Sequence, residues 1–269
     1  MIDMHKRAAT FLALAAATLL PVAGELSAEH VPSTPDGELE VEAVSRVFVK
    51  LDRLEPMLEA VGRFEGEDLD FRYRAVTAGG YYRVHRNVKV GAFYRLQAGA
   101  RHDDDWVLRD GDWEWRETSS RAEHVLLGDV TPRLLLDFLP GESWVFALKN
   151  RYFLNTFNAH QTLLTRPQLT YFLLRAREPV VNVSVAYGLY WALDFSDQAL
   201  YRHSPYLEVL YHATDAVKLT AGFTRNTVHW SSSEDVAEAG ATDYSVDGTS
   251  WLLTAGLIFR VDPGLSRER

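Results

Sequence analysis

The feature that most constrains the fold is an alternation of apolar and polar residues that recurs along the chain from residue 38 onward. The segment 87–101 shows it most clearly. One set of alternate positions holds Val88, Val90, Ala92, Tyr94, Leu96 and Ala98, and the other holds Lys89, Gly91, Phe93, Arg95, Gln97 and Gly99. Successive side chains of a β-strand point to opposite faces. The pattern therefore predicts strands with one apolar face and one mostly polar face.

The same pattern predicts about ten strands, within a range of about 8–12, arranged in one antiparallel sheet. They are placed at residues 40–52, 69–84, 87–101, 121–138, 143–157, 161–175, 181–193, 204–213, 216–227 and 250–261. Short turns at 85–87, 139–142, 177–179 and 214–216 alternate with longer connections at 102–120, 194–203 and 228–248. Short turns at one rim and longer loops at the other are typical of transmembrane β-barrels.

The first of these strands has an alternative interpretation. Apolar residues from position 44 to position 61 also fit one stripe of an amphipathic helix: Val44, Val47, Phe48, Leu51, Leu54, Leu58 and Val61. We favour a strand at 40–52 because it completes an even number of strands, with both ends of the barrel at the short-turn rim. Pro56 would also interrupt the helix.

The N-terminus is typical of a secretory signal peptide. Lys6 and Arg7 precede an apolar run of 13 residues, 8–20, and small residues follow it. A bilayer-spanning helix needs about 17–25 residues, so a membrane anchor is disfavoured. We predict a signal peptide at 1–28, a linker at 29–37, a barrel at 38–262 and a C-terminal tail at 263–269.

Composition excludes several classes of function. The chain has no cysteine, which rules out disulfide scaffolds and thiolate chemistry. Its formal net charge of −9, without a basic run, argues against nucleic acid as a partner. The acidic loop 101–117 lacks the spacing of a calcium-binding loop, and no cofactor motif occurs. No metal or cofactor is therefore predicted.

Together, the signal peptide, the alternating strands, aromatic residues near strand ends and the amphipathic segment 251–259 resemble bacterial outer-membrane β-barrel proteins. The resemblance implies the cell outer membrane as location, its lipids as surroundings and the barrel-assembly machinery as a partner during insertion. Proteins of this class often end in an aromatic residue, whereas Phe259 is followed by ten residues here.

If the apolar faces point to lipid, the polar faces line a lumen. The predicted lumen-lining residues are Arg72, Arg74, Lys89, Arg95, Asp129, Arg133, Asp137, Lys149, Arg151, Arg166, Glu208, Lys218 and Arg260. This set is basic although the chain is acidic. Such a lumen is either a packed polar core or a narrow pore that favours small anions. The favoured function is that of a non-catalytic barrel. Such a barrel has a structural role, binds surface ligands at its loops, or acts as a narrow pore of this kind.

His229 and Ser231 offer a catalytic alternative. A His-x-Ser pair on a strand is similar to the base and nucleophile of lipid A deacylases and outer-membrane phospholipases, and Glu234 or Asp235 would orient the histidine. Alternate residues share a face, so the imidazole could take the serine proton. A third hypothesis is a soluble periplasmic all-β binding protein.

Overall fold

The computed structural model describes residues 29–31, 39–65, 70–100, 106–109, 112–115, 122–140, 143–194, 199–231 and 244–262. The described residues contain β-strands and turns but no helix. In this part of the chain, then, there is no helix long and apolar enough to cross a membrane. The predicted signal peptide 1–28 and tail 263–269 lie outside the described residues.

The described residues form 14 strands in chain order. They are β1 (Glu29–Val31), β2 (Leu39–Val49), β3 (Leu54–Glu65), β4 (Asp70–His85), β5 (Val88–Ala98), β6 (Trp106–Arg109), β7 (Asp112–Trp115), β8 (Glu123–Leu135), β9 (Trp144–Asn155), β10 (Gln161–Arg175), β11 (Glu178–Ala192), β12 (Leu200–His212), β13 (Val217–Ser231) and β14 (Tyr244–Val261). Strands β6 and β7 pair only with each other, as a hairpin inside the long connection between β5 and β8.

The other long strands form one closed barrel of 11 strands. Each pairs antiparallel with its neighbours in the order β2-β3-β4-β5-β8-β9-β10-β11-β12-β13-β14. The ring closes where β14 pairs parallel with β2, from Trp251 beside Leu39 to Val261 beside Val49. The short strand β1 also lies parallel to β14, at Tyr244–Val246. The all-β single barrel is therefore confirmed.

The strand count differs from the predicted ten because 54–65 forms a strand of its own. Leu51 and Leu54 exchange backbone hydrogen bonds of 2.9 and 2.7 Å, so Asp52 and Arg53 form a two-residue turn. Asp52 has φ 42°, a conformation that aspartate tolerates better than most residues. The helical stripe over 44–61 is wrong because this turn divides it between two antiparallel strands.

The extra strand also changes the rim at which the first barrel strand begins. We call the end that contains the turns at 50–53, 86–87, 176–177 and 213–216 the short-turn rim, and the opposite end the long-loop rim. Strand β2 begins at the long-loop rim and β14 ends at the short-turn rim. The prediction that both ends lie at the short-turn rim is wrong, because an odd number of strands requires a parallel closing pair.

The outer face of the barrel is apolar all the way around. Every one of the 11 strands has at least one large apolar side chain that is exposed on it, for example Leu39, Leu58, Val76, Leu96, Leu126, Phe146, Leu173, Val185, Leu207, Leu219 and Leu253. The alternate positions point inward, where polar and charged side chains are buried, among them Glu59, Thr77, Glu123, Asp129 and Asn226. The barrel is thus apolar outside and mainly polar inside.

Candidate functional site: the barrel interior and the outer face

An ion-pair network fills the interior beside β2, β3 and β5. Its centre is Glu59, which receives hydrogen bonds from Arg46 Nε at 2.5 Å and from Arg95 Nη2 at 3.3 Å. Arg95 Nε also donates to Thr77 Oγ1 at 3.0 Å, and that hydroxyl in turn donates to Glu59 at 3.4 Å. One buried carboxylate therefore joins four neighbouring strands.

A second network is centred on Asp129 of β8, whose side chain is fully enclosed at 0 % exposure. Arg151 donates to one carboxylate oxygen from Nε at 3.0 Å and from Nη2 at 2.7 Å. Thr131 donates to the other oxygen at 2.8 Å, and Lys149 Nζ lies 3.6 Å away. Arg151 Nη2 also donates to the hydroxyl of Tyr81 on β4 at 3.2 Å, so this network reaches strands that are not adjacent.

The two rims carry further ion pairs. Toward the short-turn rim, Glu55 accepts hydrogen bonds from Lys89 at 2.5 Å and from Arg260 at 2.7 Å, which links β3 to β5 and β14. Toward the long-loop rim, Arg63 pairs with Glu40 at 2.9 Å and with Glu42 at 3.0 Å. These contacts link β3 to its neighbours near both ends of the parallel β2–β14 pair.

An apolar cluster fills part of the same half of the interior. Met57, Phe93, Val125 and Leu127 are buried and point inward, and Phe48, Tyr81 and Phe153 pack against them. Buried aliphatic and aromatic side chains leave no water path where they meet. The half of the interior between β2 and β9 is therefore packed.

The opposite wall, β10 to β13, is built from tyrosine, arginine and neutral polar groups. The hydroxyls of Tyr190 and Tyr206 lie 2.6 Å apart. Both rings lie beside Gly188, where a Cβ atom would come within 2.9 Å of Tyr206 and 3.2 Å of Tyr190. The guanidinium of Arg202 lies 4.5 Å from the Tyr190 ring centre, and that of Arg166 lies 5.2 Å from the Tyr206 ring centre. Such distances are those of cation–π contacts.

Solvent space reaches into this side of the interior. Glu208 has the inward parity of Tyr206 and Ser204, yet it is exposed. The lumen is thus asymmetric, with a packed half along β2–β9 and a solvent-accessible region beside β12.

Most of the predicted lumen-lining residues lie inside the barrel. Lys89, Arg95, Asp129, Lys149, Arg151, Arg166, Glu208, Lys218 and Arg260 have inward parity within their strands, and Arg133 has it near the short-turn rim. Two residues are placed differently: Arg74 is exposed and shares the outward parity of Val76, and Asp137 is exposed in the turn after β8. Arg72 is partly buried and is the extra residue of a bulge where β4 pairs with β3. The sequence register was wrong there because it overlooked the bulge and extended β8 beyond Leu135.

The sequence interpretation missed the acids of β3 and the Tyr–Arg wall. Glu55, Glu59 and Arg63 alternate with Leu54, Pro56 and Leu58 in the segment that had no predicted strand. That alternation was the available signal. Arg202 lay in a predicted loop. Tyr190 and Tyr206 have inward parity, but parity does not predict that they touch, because their contact depends on the pairing of β11 with β12.

On the outer face, a histidine cluster lies near the long-loop rim. The hydroxyl of Tyr187 and Nδ1 of His203 are 2.9 Å apart, and the ring of His203 stacks on that of His229 at 6.2 Å between centroids. The β13–β14 register sets His229 directly opposite Asp247, and Ser231 opposite Ser245. The proposed orienting acids Glu234 and Asp235 lie outside the described residues, and so does the side chain of Ser231.

No group of three side chains suited to hold a metal ion occurs among the described residues, which leave out most of the acidic loop 101–117. Comparison with known protein families finds no family model that matches this chain, and comparison with curated proteins finds no significant match.

Proposed function

We propose that the chain is a non-catalytic outer-membrane β-barrel of a Gram-negative-type bacterium, with a narrow basic interior that favours anions. The observation that carries the membrane location is the apolar outer face. Each of the 11 strands exposes at least one large apolar side chain there, whereas the networks at Glu59 and Asp129 lie inside. Monomeric soluble proteins rarely expose contiguous apolar patches above a few hundred Å². A bilayer covers such a surface around the whole circumference.

The N-terminal sequence supports export toward the outer membrane. Residues 1–28 have the pattern of a secretory signal peptide, and the chain lacks cysteine. In a closed barrel, the backbone N–H and C=O groups of every strand edge are hydrogen-bonded to a neighbouring strand, as a lipid bilayer requires.

Two observations favour a narrow interior that attracts anions. The networks at Glu59 and Asp129, with the apolar cluster between β3 and β9, pack one half of the lumen. Inward-facing cations outnumber carboxylates: Arg166 and Arg202 have no carboxylate within ion-pair distance among the described residues. Rings of arginine and lysine attract anions.

Membrane location is tested by expression with the signal peptide, membrane fractionation and electrophoresis of heated and unheated samples. We expect a compact, heat-modifiable band in the outer-membrane fraction. A soluble periplasmic protein would favour the binding-protein hypothesis instead. In planar bilayers we expect small anion-selective conductance steps, and wide non-selective steps would contradict the narrow interior.

A second candidate function, lipid acyl-ester hydrolysis on the outer face, is favoured by one observation. The strand register sets Asp247 opposite His229, and alternation gives position 231 the same face as position 229. The register thus places a histidine, a serine and an aspartate at neighbouring positions of one sheet face near the long-loop rim, where a lipid ester would lie. This gives Asp247 the orienting role that sequence alone assigned to Glu234 or Asp235.

The hydrolase hypothesis is tested with the detergent-solubilised full chain and a phospholipid ester substrate. We expect Ser231→Ala to abolish ester release and Ser245→Ala, at the cross-strand position, to retain it. Wild-type protein that releases no fatty acid from any phospholipid or lipid A substrate would rule the hypothesis out.

A further inference from the structure

Two cations of the lumen wall lie directly opposite each other. Lys149 of β9 and Arg166 of β10 are cross-strand partners, and both have inward parity. Directly opposed like charges destabilise an antiparallel pair. The arrangement therefore calls for negative charge close to both side chains.

The protein supplies too little of that charge. Asp129 lies 3.6 Å from Lys149, but its carboxylate already accepts two hydrogen bonds from Arg151 and one from Thr131. Among the described residues, no carboxylate forms an ion pair with Arg166, and its Nε is buried without a hydrogen-bond partner. Asp129 thus pairs with two cations, Arg151 and Lys149, and Arg166 has no carboxylate partner among the described residues.

The surroundings of Arg166 fix its position. Its guanidinium stacks on Tyr206, whose hydroxyl is held 2.6 Å from that of Tyr190. The two rings pack over Gly188, where a Cβ atom would lie 2.9 Å from Tyr206 and 3.2 Å from Tyr190. A guanidinium held by an aromatic face keeps its N–H groups available for a planar or tetrahedral oxyanion.

We propose that Lys149 and Arg166 form a binding site for a small free oxyanion of the phosphate type inside the barrel. The site depends on the proposed narrow basic interior for the route by which the anion enters. A lipid headgroup is not its ligand, because the site lies on the inner face of the wall. A guanidinium and an ammonium on adjacent strands can hold one oxyanion by charge-assisted hydrogen bonds from both sides.

The test is the melting temperature of the refolded full chain in detergent, as inorganic phosphate replaces chloride at constant ionic strength. We expect a saturable rise for the wild type, since a ligand that binds the folded state stabilises it. Arg166→Gln should weaken apparent phosphate affinity about tenfold or more, because one charge-assisted contact is lost. Arg166→Lys should keep most of the response.

Arg74→Gln is the matched control, since it removes one arginine charge from the outer face. It should respond to phosphate as the wild type does. Lys149→Gln serves as the second variant if Arg166→Gln gives no compact band on unheated gels. A wild-type chain that responds equally to phosphate and chloride, or equal losses in Arg166→Gln and Arg74→Gln, would overturn the proposal.

The outcome is independent of the membrane assay. A phosphate response in a chain found outside the outer membrane would retain the site and reject the proposed location. A compact outer-membrane barrel without a phosphate response would retain the location and reject the site.

Discussion

Asp129→Asn tests directly whether the half of the lumen beside β8 and β9 is dry. The wild-type carboxylate is completely enclosed and lies 2.7 Å from Arg151 Nη2, 2.8 Å from Thr131 Oγ1 and 3.6 Å from Lys149 Nζ. Asparagine has nearly the same volume, so no cavity forms. The substitution removes only the negative charge and leaves two enclosed cations with no carboxylate of their own.

The size of the effect depends on the dielectric environment of these groups. Breaking a buried ion pair by removing one partner costs about 3–5 kcal/mol, because the other charge stays buried and uncompensated. A pair surrounded by water contributes about 0–1 kcal/mol. The enclosure of Asp129, together with the apolar cluster that includes Leu127 and Phe93, puts the expected loss in the first range.

The free energy of unfolding is measured by denaturant titration of the refolded barrel, followed by tryptophan fluorescence and by the compact band on unheated gels. Asp137→Asn is the matched control: it is the same chemical change at an exposed carboxylate in the turn after β8. Surface substitutions of this kind usually stay within about 0.5 kcal/mol of wild type.

A loss below about 1 kcal/mol for Asp129→Asn, equal to that of Asp137→Asn, would refute the reasoning. It would mean that water reaches Arg151 and Lys149, and the barrel would then hold a water-filled channel on both sides of its lumen.

Three further substitutions test the outer face, a turn and the tyrosine wall. Val185→Arg puts a charge on the apolar face of β11 and should destabilise the membrane-inserted barrel by about 2–4 kcal/mol, measured by denaturant titration in lipid vesicles; no loss would argue against lipid contact at that height. Arg177→Gly should stabilise the barrel by about 1 kcal/mol in the same titration, because Arg177 has φ 70° in the turn after β10; a destabilised variant would show that the side chain matters more than the backbone. Gly188→Ala should cost about 1–3 kcal/mol because its Cβ would lie 2.9 Å from Tyr206, whereas an unchanged unfolding midpoint would show that the tyrosine pair can shift.

Much of the fold was predictable from local pattern. Alternation at Val181, Val183 and Val185 assigns the outer face of β11 without reference to any other strand, because a strand turns its side chains to opposite faces at every residue. The same rule placed Asp129, Lys149, Arg151 and Arg166 on the inward side. It failed at Arg74 because the bulge at Arg72 lies next to it, and a bulge shifts parity by one residue.

The strand count was not predictable from the same pattern. Leu51-Asp52-Arg53-Leu54 contains neither glycine nor proline, so no strong turn signal divides 39–65 into two strands. The even parity that is usual for such barrels then suggested ten strands. Closure of an 11-strand ring depends on the parallel contact between β14 and β2, which are separated by nearly the whole barrel sequence.

Except next to a bulge, as at Arg74, the amino-acid sequence is enough to tell which residues face outward and which inward, because that choice follows from the two-residue period of each strand. Only the tertiary structure decided which inward residues meet. Arg46 and Glu59 pair because β2 lies beside β3, and Arg151 reaches Tyr81 because the barrel curves β9 toward β4. The register of strand pairs sets Lys149 beside Arg166 and His229 beside Asp247. Such contacts arise from ring closure and strand register, which no local segment of the chain encodes alone.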